Sequence, residues 1–519
     1  MILKHLALTA AALAATVPAF SQDVFRAPKI APVEVVRLEA PAQKSATATV
    51  DASGLLRVGD VRAVPKSAVV AAWTPVAGGY VARVSVVSES AQGIRARLDL
   101  GAMPGSMQLR AQGGDGARIE AMTLDPALGP EAWTPWTEGE EQLIELFSTV
   151  LPSDNAVRVG AVLHFVDSPM AKAAAASCTL STTCSSDDPT LDALIAERKK
   201  SVMRVTFVRG GSGFVCSATL IDTPLRPAPF VLTANHCIDD AASSNTVSSF
   251  WFYEATACAD PAVAPGFVQR AGGMQLVFTS YNIDSTLLLM GTAPPAGAIR
   301  SPIDSARVGQ GTAMVSISHP RGDTSRWGTG VTGQDFRDNE RPYDMYSVNF
   351  GRGIIEPGSS GSGLFTIAGG RLELRGILSQ GALDLSCTQP SLFTLYGRLE
   401  AFFPQMAPYI GFPVVGADDA GNRPQEVTAT VSASPIDTLA GEVVVTARSV
   451  TVPFLRSQLA ALPQRVGGVL LEAARVNEPK VQPVKLKGRT ITNEADLDAW
   501  LQDTREGIVA QLKTGPVRI

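Results

Sequence analysis

The alternation of apolar and polar positions changes character several times along the 519 residues. Residues 6–17 form an apolar stretch broken only by Thr9 and Thr16, too short a run to span a bilayer. Between about 22 and 172, segments such as 80–87, 94–100 and 157–165 partly alternate, which is the spacing of half-buried antiparallel strands. Trp133-Thr134-Pro135-Trp136 is expected on the turn before a Glu/Leu-rich strand, and the region reads as a small β-sandwich. The pattern stops at 167–172, and the alanine run 173–176 has the composition of an exposed linker. From 178 to 412, short apolar strands are predicted at 202–208, 213–221, 230–232, 250–253, 275–279, 286–290 and 313–317, divided by Gly, Pro, Asn and Asp turns. Leu364-Phe365-Thr366-Ile367 and Leu372-Glu373-Leu374-Arg375 flank Ala368-Gly369-Gly370, a hairpin signal, and 397–410 reads as a closing helix. Strands at this spacing predict a mainly β barrel fold. Residues 413–430, rich in Pro, Gly, Asp and Ala, form a linker to a small α+β module over 431–519. There Asn493 caps a helix carrying Leu497, Trp500, Leu501, Thr504 and Ile508 on one core-facing stripe, and Gly515-Pro516 stops it. Nothing in this module points to a function.

Charge and cysteine content narrow the setting. The net charge of −5 gives no nucleic-acid footprint. Arg198-Lys199-Lys200 reads as a solvated helix end, Arg209-Gly210-Gly211 as a hairpin turn, and His164 as a strand histidine without a catalytic role. Lys4 and His5 precede the apolar run, and Ala19-Phe20-Ser21 supplies a small-residue cleavage site, so residues 1–21 read as a signal peptide. The expectation is an exported chain, extracellular or periplasmic, with no membrane span after signal removal. Six cysteines, at 178, 184, 216, 237, 258 and 387, argue for disulfides in such a chain, and sequence alone does not choose their pairing. A rival reading has zinc bound by Cys216, His236 and Cys237, but the paired-cysteine spacing of structural zinc sites is absent, so no metal and no cofactor are expected.

Three segments carry chemistry. Gly358-Ser359-Ser360-Gly361-Ser362-Gly363 follows the turn-forming Glu356-Pro357. A serine among glycines on a sharp turn leaves backbone N–H groups free to hold the oxyanion of a tetrahedral intermediate, although such a run is also an ordinary turn composition. Upstream, the apolar Phe230-Val231-Leu232-Thr233 ends on Ala234-Asn235-His236-Cys237, and Asp284 heads the apolar Ser285-Thr286-Leu287-Leu288. Histidine, aspartate and serine in that chain order form one of the known hydrolase triads.

With these motifs, residues 173–412 resemble a trypsin-like serine endopeptidase, and within that superfamily the bacterial lysyl endopeptidases. The matching segments are Thr233-Ala234-Asn235-His236-Cys237, Asp284-Ser285-Thr286-Leu287-Leu288, His319-Pro320, Glu356-Pro357-Gly358-Ser359-Ser360-Gly361-Ser362 and Tyr396-Gly397-Arg398. The resemblance implies two six-stranded barrels with the active site between them, acting on protein or peptide substrates. It makes Ser360 the nucleophile rather than Ser362, His236 the base, Asp284 its orienting partner, and the N–H groups of Gly358 and Ser360 the oxyanion hole. His319 becomes structural or pocket-lining. Ser379, Gln380 and Gly381 become the edge that pairs with substrate backbone. It implies the disulfides Cys178–Cys387, Cys184–Cys258 and Cys216–Cys237, the last worth roughly 3 kcal/mol by loop closure. Residues 22–172 become a pro-region, a folding aid and intramolecular inhibitor released near Lys172, although an independent binding domain that stays attached fits the same pattern.

Two positions depart from the family. Ser359 stands where many animal trypsin-like enzymes carry an acid that pairs with the new N-terminal amine. Thr394 stands where the lysyl endopeptidases carry the aspartate that binds lysine, which puts lysine specificity in doubt. Asp384 is the nearby substitute, with a solvated loop residue as the simpler reading. A catalytically silent binding protein of the same fold and an esterase-like hydrolase are the competing functions.

Overall fold

The structure, a computed structural model, describes residues 25–412 apart from 27–31, 42–46, 52, 71, 115, 117, 169, 171–174, 259, 338–343, 382–385 and 390–393. Beyond 412 it describes 427–431, 443–447, 482–483, 494–512 and 517–518. The expected signal, Lys172, Asp384, Asn493 and Gly515-Pro516 lie outside these residues. The chain divides into two units, Met1–Val415 and Gly416–Ile519.

The first unit opens with strands β1 (Glu34–Leu38), β2 (Leu56–Val69), β3 (Gly79–Ser88), β4 (Gly93–Leu100), β5 (Met107–Gly113), β6 (Ile119–Leu124), β7 (Glu141–Ser148) and β8 (Val157–Phe165). One layer runs β1-β3-β7-β5-β6 and the other contains β4-β8-β2. Alternate residues of both layers, among them Val84, Val86, Leu98, Leu109, Ile144 and Val159, bury a shared core, as the period-2 pattern requires. The sandwich is not self-contained, however. Strand β2 continues into the next sheet by pairing antiparallel with β10 (Ser212–Leu220), matching Asp60 to Ser212, Gly59 to Gly213, Arg57 to Phe214 and Leu56 to Val215. One 13-stranded sheet therefore spans the expected domain boundary. The cause is a second apolar surface. Leu56, Val58, Trp133, Trp136, Leu163 and Phe165 pack on Val215, Phe250, Tyr253 and Phe267. Trp133 and Trp136, expected on a turn, are buried in this cluster, and the Trp136 ring meets Phe250 edge-on at 6.1 Å.

Helix α1 (Pro189–Arg198) is capped by Asp188, whose side chain accepts from the Thr190 and Leu191 N–H groups. Of the expected solvated end, only Lys200 is exposed. Arg198 is buried and donates to the Arg300 carbonyl, and Lys199 pairs with Glu254. Strands β9 (Val202–Arg209), β10, β11 (Phe230–Thr233), β12 (Ser248–Trp251), β13 (Met274–Ser280) and β14 (Ser285–Met290) follow in the order β12-β9-β10-β11-β14-β13. This is a half-barrel. No ladder joins β12 to β13 among the described residues, and the Gly273 N–H donates to the Val247 carbonyl across that seam at 3.2 Å.

Strands β15 (Ala313–Ser318), β16 (Arg326–Thr332), β17 (Asp344–Arg352), β18 (Gly363–Ala368), β19 (Arg371–Gly381) and β20 (Thr394–Arg398) form a closed six-strand barrel, sealed by the β16–β17 pairing. Met314, Tyr346, Val348, Phe350, Leu364, Leu378 and Tyr396 fill it. Helix α2 (Leu399–Met406) starts after Arg398, not at Gly397. Gly397 stays on β20, paired opposite Ile377, and must be glycine there, since a Cβ would lie 2.0 Å from the Ile283 carbonyl.

The three disulfides join Cys178 to Cys387, Cys184 to Cys258 and Cys216 to Cys237. In the second unit, strand β21 (Val427–Val431) pairs with β22 (Val443–Ala447), so the last residues of the expected linker lie in a ladder. Helix α3 (Glu494–Leu512) forms, but Leu501, expected on its core stripe, is 48% exposed. Among the described residues no helix is long and apolar enough to cross a membrane.

Candidate active site

Strand β11 delivers the histidine. Its four buried apolar and threonine positions end at Thr233, and the chain turns through Ala234-Asn235 to expose His236 beside the Cys216–Cys237 bridge. Strand β14 delivers the aspartate. A short 3-10 turn at Tyr281–Ile283 ends on Asp284 in the left-handed region (φ 53°, ψ 48°), a conformation that Asp adopts more readily than most residues. Gly397 on β20 lies against Ile283 at that turn, which explains the glycine between Tyr396 and Arg398. The Asp284 carboxylate is 1% exposed. Its Oδ1 accepts from the His236 backbone N–H at 2.8 Å, and its Oδ2 from His236 Nδ1 at 2.7 Å and Ser379 Oγ at 2.5 Å. A carboxylate only accepts, so His236 carries its proton on Nδ1 and presents Nε2 as a base. Arg209, at the end of β9, donates to the His236 carbonyl and pairs with Asp239, fixing the histidine loop from behind.

The serine loop is held on both sides. The Ser217 N–H on β10 donates to the Ser360 carbonyl at 2.8 Å, and Ser217 Oγ donates to the Gly358 carbonyl at 3.0 Å while accepting from the His319 N–H at 2.9 Å. On the other side the Gly361 N–H donates to the Leu378 carbonyl, and the Leu378 N–H to the Ser362 carbonyl. Gly361 (φ +83°) admits no side chain, since a Cβ would lie 2.2 Å from Thr233 Oγ1 and 2.4 Å from the Ser217 carbonyl. That contact brings the serine loop against the strand that carries the histidine.

Within 358–362 the N–H groups of Ser359, Gly361 and Ser362 are spent on Glu356, Leu378 and Ser359 carbonyls. Those of Gly358 and Ser360 have no partner among the described residues. The Gly358 N–H is oriented by its own peptide. The Arg321 N–H donates to the Pro357 carbonyl at 2.7 Å, and across a trans peptide this turns the Gly358 N–H to the opposite side. Arg321 makes that bond from a left-handed conformation (φ 56°, ψ 15°), a strain of about 1 kcal/mol or more. Ser362 is wholly buried, whereas Ser360 is half-buried at the cleft. No hydrogen bond joins Ser360 Oγ to His236 among those described, and His236 Nε2 has Cys237 Sγ at 3.8 Å. In unliganded sites such contacts are often long.

His319 is structural in its contacts. It is buried, its Nδ1 donates to the Asp323 carbonyl at 3.0 Å, and its ring packs 6.0 Å from Tyr253. Burial lowers its pKa to about 3, helped by the Arg204 and Arg326 charges. Among the substrate-edge candidates, Gln380 is exposed and Gly381 half-buried, while Ser379 is committed to Asp284. Thr394 begins β20 opposite Gly381 and is fully buried, its hydroxyl without a hydrogen-bond partner among the described residues. Sequence reasoning missed Ser217, Arg321 and Glu356. No local signal marks the first two. Glu356 was visible as part of the turn, but its role depends on a distant segment: its carboxylate accepts the Ala176 N–H at 2.8 Å, and burial pushes its pKa up. Among the described residues no group of acidic, histidine and cysteine side chains could hold a metal, and the two cysteines of the zinc reading are bonded to each other.

Comparison with known proteins gives the family. The family model described as "Lysyl endopeptidase, C-terminal domain" matches residues 173–394, and "Lysyl endopeptidase N-terminal domain" matches 29–166. A lysyl endopeptidase of Pseudomonas aeruginosa is 28% identical over 321 residues, covering 59% of this chain and 69% of its own. The chain belongs to the trypsin-like serine endopeptidases. Solved structures align more weakly. The active form of the Rv3671c protease from M. tuberculosis is 17% identical with a TM-score of 0.31, over 44% of this chain and 88% of its own. A thermostable serine protease, AL20, from an extremophilic microorganism is 18% identical with a TM-score of 0.30, over 40% and 95%. Likenesses that weak say nothing about activity.

Two outcomes follow for this endopeptidase. Arg321→Pro cannot adopt a positive φ and has no N–H, so it frees the Pro357 carbonyl. Turnover of a small ester should fall about 100-fold with little change in KM, whereas Arg321→Gly should stay near wild type. Equal losses in both variants would show that the side chain, not the backbone bond, matters. The second concerns acid. His319 is buried neutral with a pKa far below its unfolded value, so the unfolded chain binds the extra proton. Its contribution is complete above about pH 6.5 and is lost as pH falls toward 3. Urea midpoints measured from pH 7 to pH 4 should fall less steeply in His319→Gln than in wild type.

Proposed function

We propose that this endopeptidase is an exported proenzyme that cleaves by a Ser360, His236 and Asp284 triad through an acyl-enzyme. The observation that carries the proposal is the pair of unspent N–H groups, Gly358 and Ser360, beside a histidine whose Nδ1 is held by a buried carboxylate. Ser360 Oγ attacks the peptide carbonyl carbon as His236 Nε2 takes its proton. The oxyanion takes the Gly358 and Ser360 N–H groups. Collapse expels the amine, which receives the proton from His236. Water, deprotonated by His236, then releases the acid and restores Ser360. Asp284 stabilises the imidazolium and fixes its tautomer throughout. No step calls on a cofactor.

Residues 1–21 act in this proposal as the signal, 22–172 as a pro-region that assists folding and inhibits, 173–412 as the protease, 413–430 as a linker and 431–519 as a module of unassigned role. Three disulfides suit an oxidising compartment. Cleavage near Lys172 would leave Ala176 on Glu356, so the segment after the cut stays tied to the serine loop. Gln380 and Gly381 offer backbone to the acyl side of a peptide. Thr394 provides no charge at the base of the pocket, which favours small or apolar residues before the cut over lysine.

Mass spectrometry of a mixed peptide library incubated with the processed chain, beside Ser360→Ala, tests the reading. We expect cuts after small or apolar residues, slowed roughly 10⁴-fold or more in the variant. Cuts only after lysine or arginine would overturn the pocket assignment and implicate an acid elsewhere. Cleavage of small esters but no peptide would favour an esterase, and no turnover at all a silent fold.

A further inference from the structure

We propose that the pro-region inhibits by occupying, with β2, the edge of β10 along which the leaving-group side of a peptide would lie, while the reacting groups stay assembled. This rests on the Ser360 reading above. Three segments share one edge of β10, the edge opposite β9. At Thr219 and Leu220 it pairs with β11. At Ser217 it holds the Ser360 carbonyl. At Val215 to Ser212 it pairs with Leu56 to Asp60 of β2. Val215 and Ser217 point their backbone groups the same way, because they are two residues apart on one strand, about 7 Å along it.

Ser360 is flanked by two edges. Its loop is bonded to β19 through Leu378 on one side and to β10 through Ser217 on the other. A peptide that pairs its acyl side with Gln380 and Gly381 crosses Ser360 and leaves along β10. Two residues past the scissile bond span about 7 Å, so the chain reaches the Val215 edge there. That edge is taken. Leu56 and Val58 anchor β2 in the mixed apolar cluster with Val215, Phe250 and Tyr253. Arg57 Nε donates to Ser212 Oγ at 3.2 Å and pairs with Asp60, and the Val61 N–H donates to the Gly211 carbonyl at 2.9 Å. Tethering within one chain gives this strand an effective concentration that a free peptide does not match.

The bonds that hold His236 and the serine loop are meanwhile made with β2 attached. Asp284 holds His236, Arg321 holds the Pro357 carbonyl, and the Gly358 and Ser360 N–H groups have no partner among the described residues. No hydrogen bond among those described runs from residues 25–168 to His236, the 356–362 loop or Ser379 to Gly381. Inhibition of this kind depends on substrate length. Short leaving groups escape it and long ones do not.

The test uses the uncut full chain, its mass confirmed intact after assay, beside the processed chain. Both are labelled with a fluorophosphonate and assayed on one acyl sequence carrying a nitroanilide or one to four residues after the scissile bond. We expect both forms to label and to hydrolyse the anilide at similar kcat/KM. From two leaving-side residues onward the uncut chain should fall behind by roughly tenfold or more, the worth of two lost backbone hydrogen bonds. Leu56→Pro, which removes the β2 N–H that faces Val215, should bring the uncut chain back toward the processed rates. Inhibition equal at every length, no inhibition, or labelling of the processed form alone would overturn the proposal. Labelling of neither form would instead overturn the Ser360 reading beneath it. Should Leu56→Pro fail to fold, the length series in the wild-type chain decides.

Discussion

The hydrogen bond from the Ser217 N–H to the Ser360 carbonyl is the joint on which the rest of the structure turns. A Gly/Ser-rich loop has little conformational preference of its own, and each of its residues loses more backbone entropy on ordering than a bulkier residue would. Something external must fix it. Ser217 does so with three polar groups at once: its N–H holds Ser360, its hydroxyl holds Gly358, and its carbonyl accepts Thr233 Oγ1. Because Ser217 is wholly buried, each bond is made without competition from water, and breaking one leaves an unsatisfied buried group costing about 1–3 kcal/mol. The loop is thus as rigid as the strand that holds it.

Rigidity at this joint is what makes the geometry useful for acyl transfer. Stabilising an oxyanion is effective when the donors are already aimed, because no reorganisation is then needed during reaction. Here the aiming comes from outside the Gly-Ser run. The strained Arg321 backbone turns one peptide, Ser217 anchors the Gly358 and Ser360 carbonyls, and the other N–H groups are spent on Leu378 of β19 and on the Glu356 and Ser359 carbonyls. Strain at Arg321 persists because Pro320 and Gly322 are buried and His319 is bonded to both Ser217 and Asp323.

Much of this was legible in the sequence, and the reasons for the limits are physical. The strands of the barrels announced themselves because their side-chain period is local. The histidine, aspartate and serine segments were legible because each needs a turn of recognisable composition at a strand end. Gly397 and Gly361 were visible as letters of motifs, but their cause, backbone packed against Ile283 and Thr233, is a tertiary contact. Ser217 and Arg321 gave no sign, because a serine in a strand and an arginine after a proline are unremarkable until folding brings the loop to them. The continuity of β2 with β10 was illegible for a similar reason. Alternation identifies a strand but not which edge it meets, and here the partner residues Asp60 and Ser212 are 152 positions apart. The same surface misled the reading of Trp133 and Trp136, whose partners belong to the other domain.

That separation bears on how the chain reaches its fold. Sheets built from distant segments fold slowly, since the entropy of closing a long loop is lost before any contact is gained. Strand β10 is the strand whose register matters most, for a slip of one residue would turn Ser217 away from the serine loop and send its neighbours to the wrong face. Strand β2 emerges first during synthesis and is already framed by β8 of its own sandwich. In the proposed folding role, β10 would meet an edge carrying Leu56 and Val58 and bordered by Trp136, and pairing there would set its register at Ser212 to Val215 before β11 arrives to pair with Thr219 and Leu220. A single ladder can therefore serve as template while the chain folds and as obstruction afterwards. In that proposal the two roles are inseparable, because the backbone groups that would guide β10 are those that a substrate would later use.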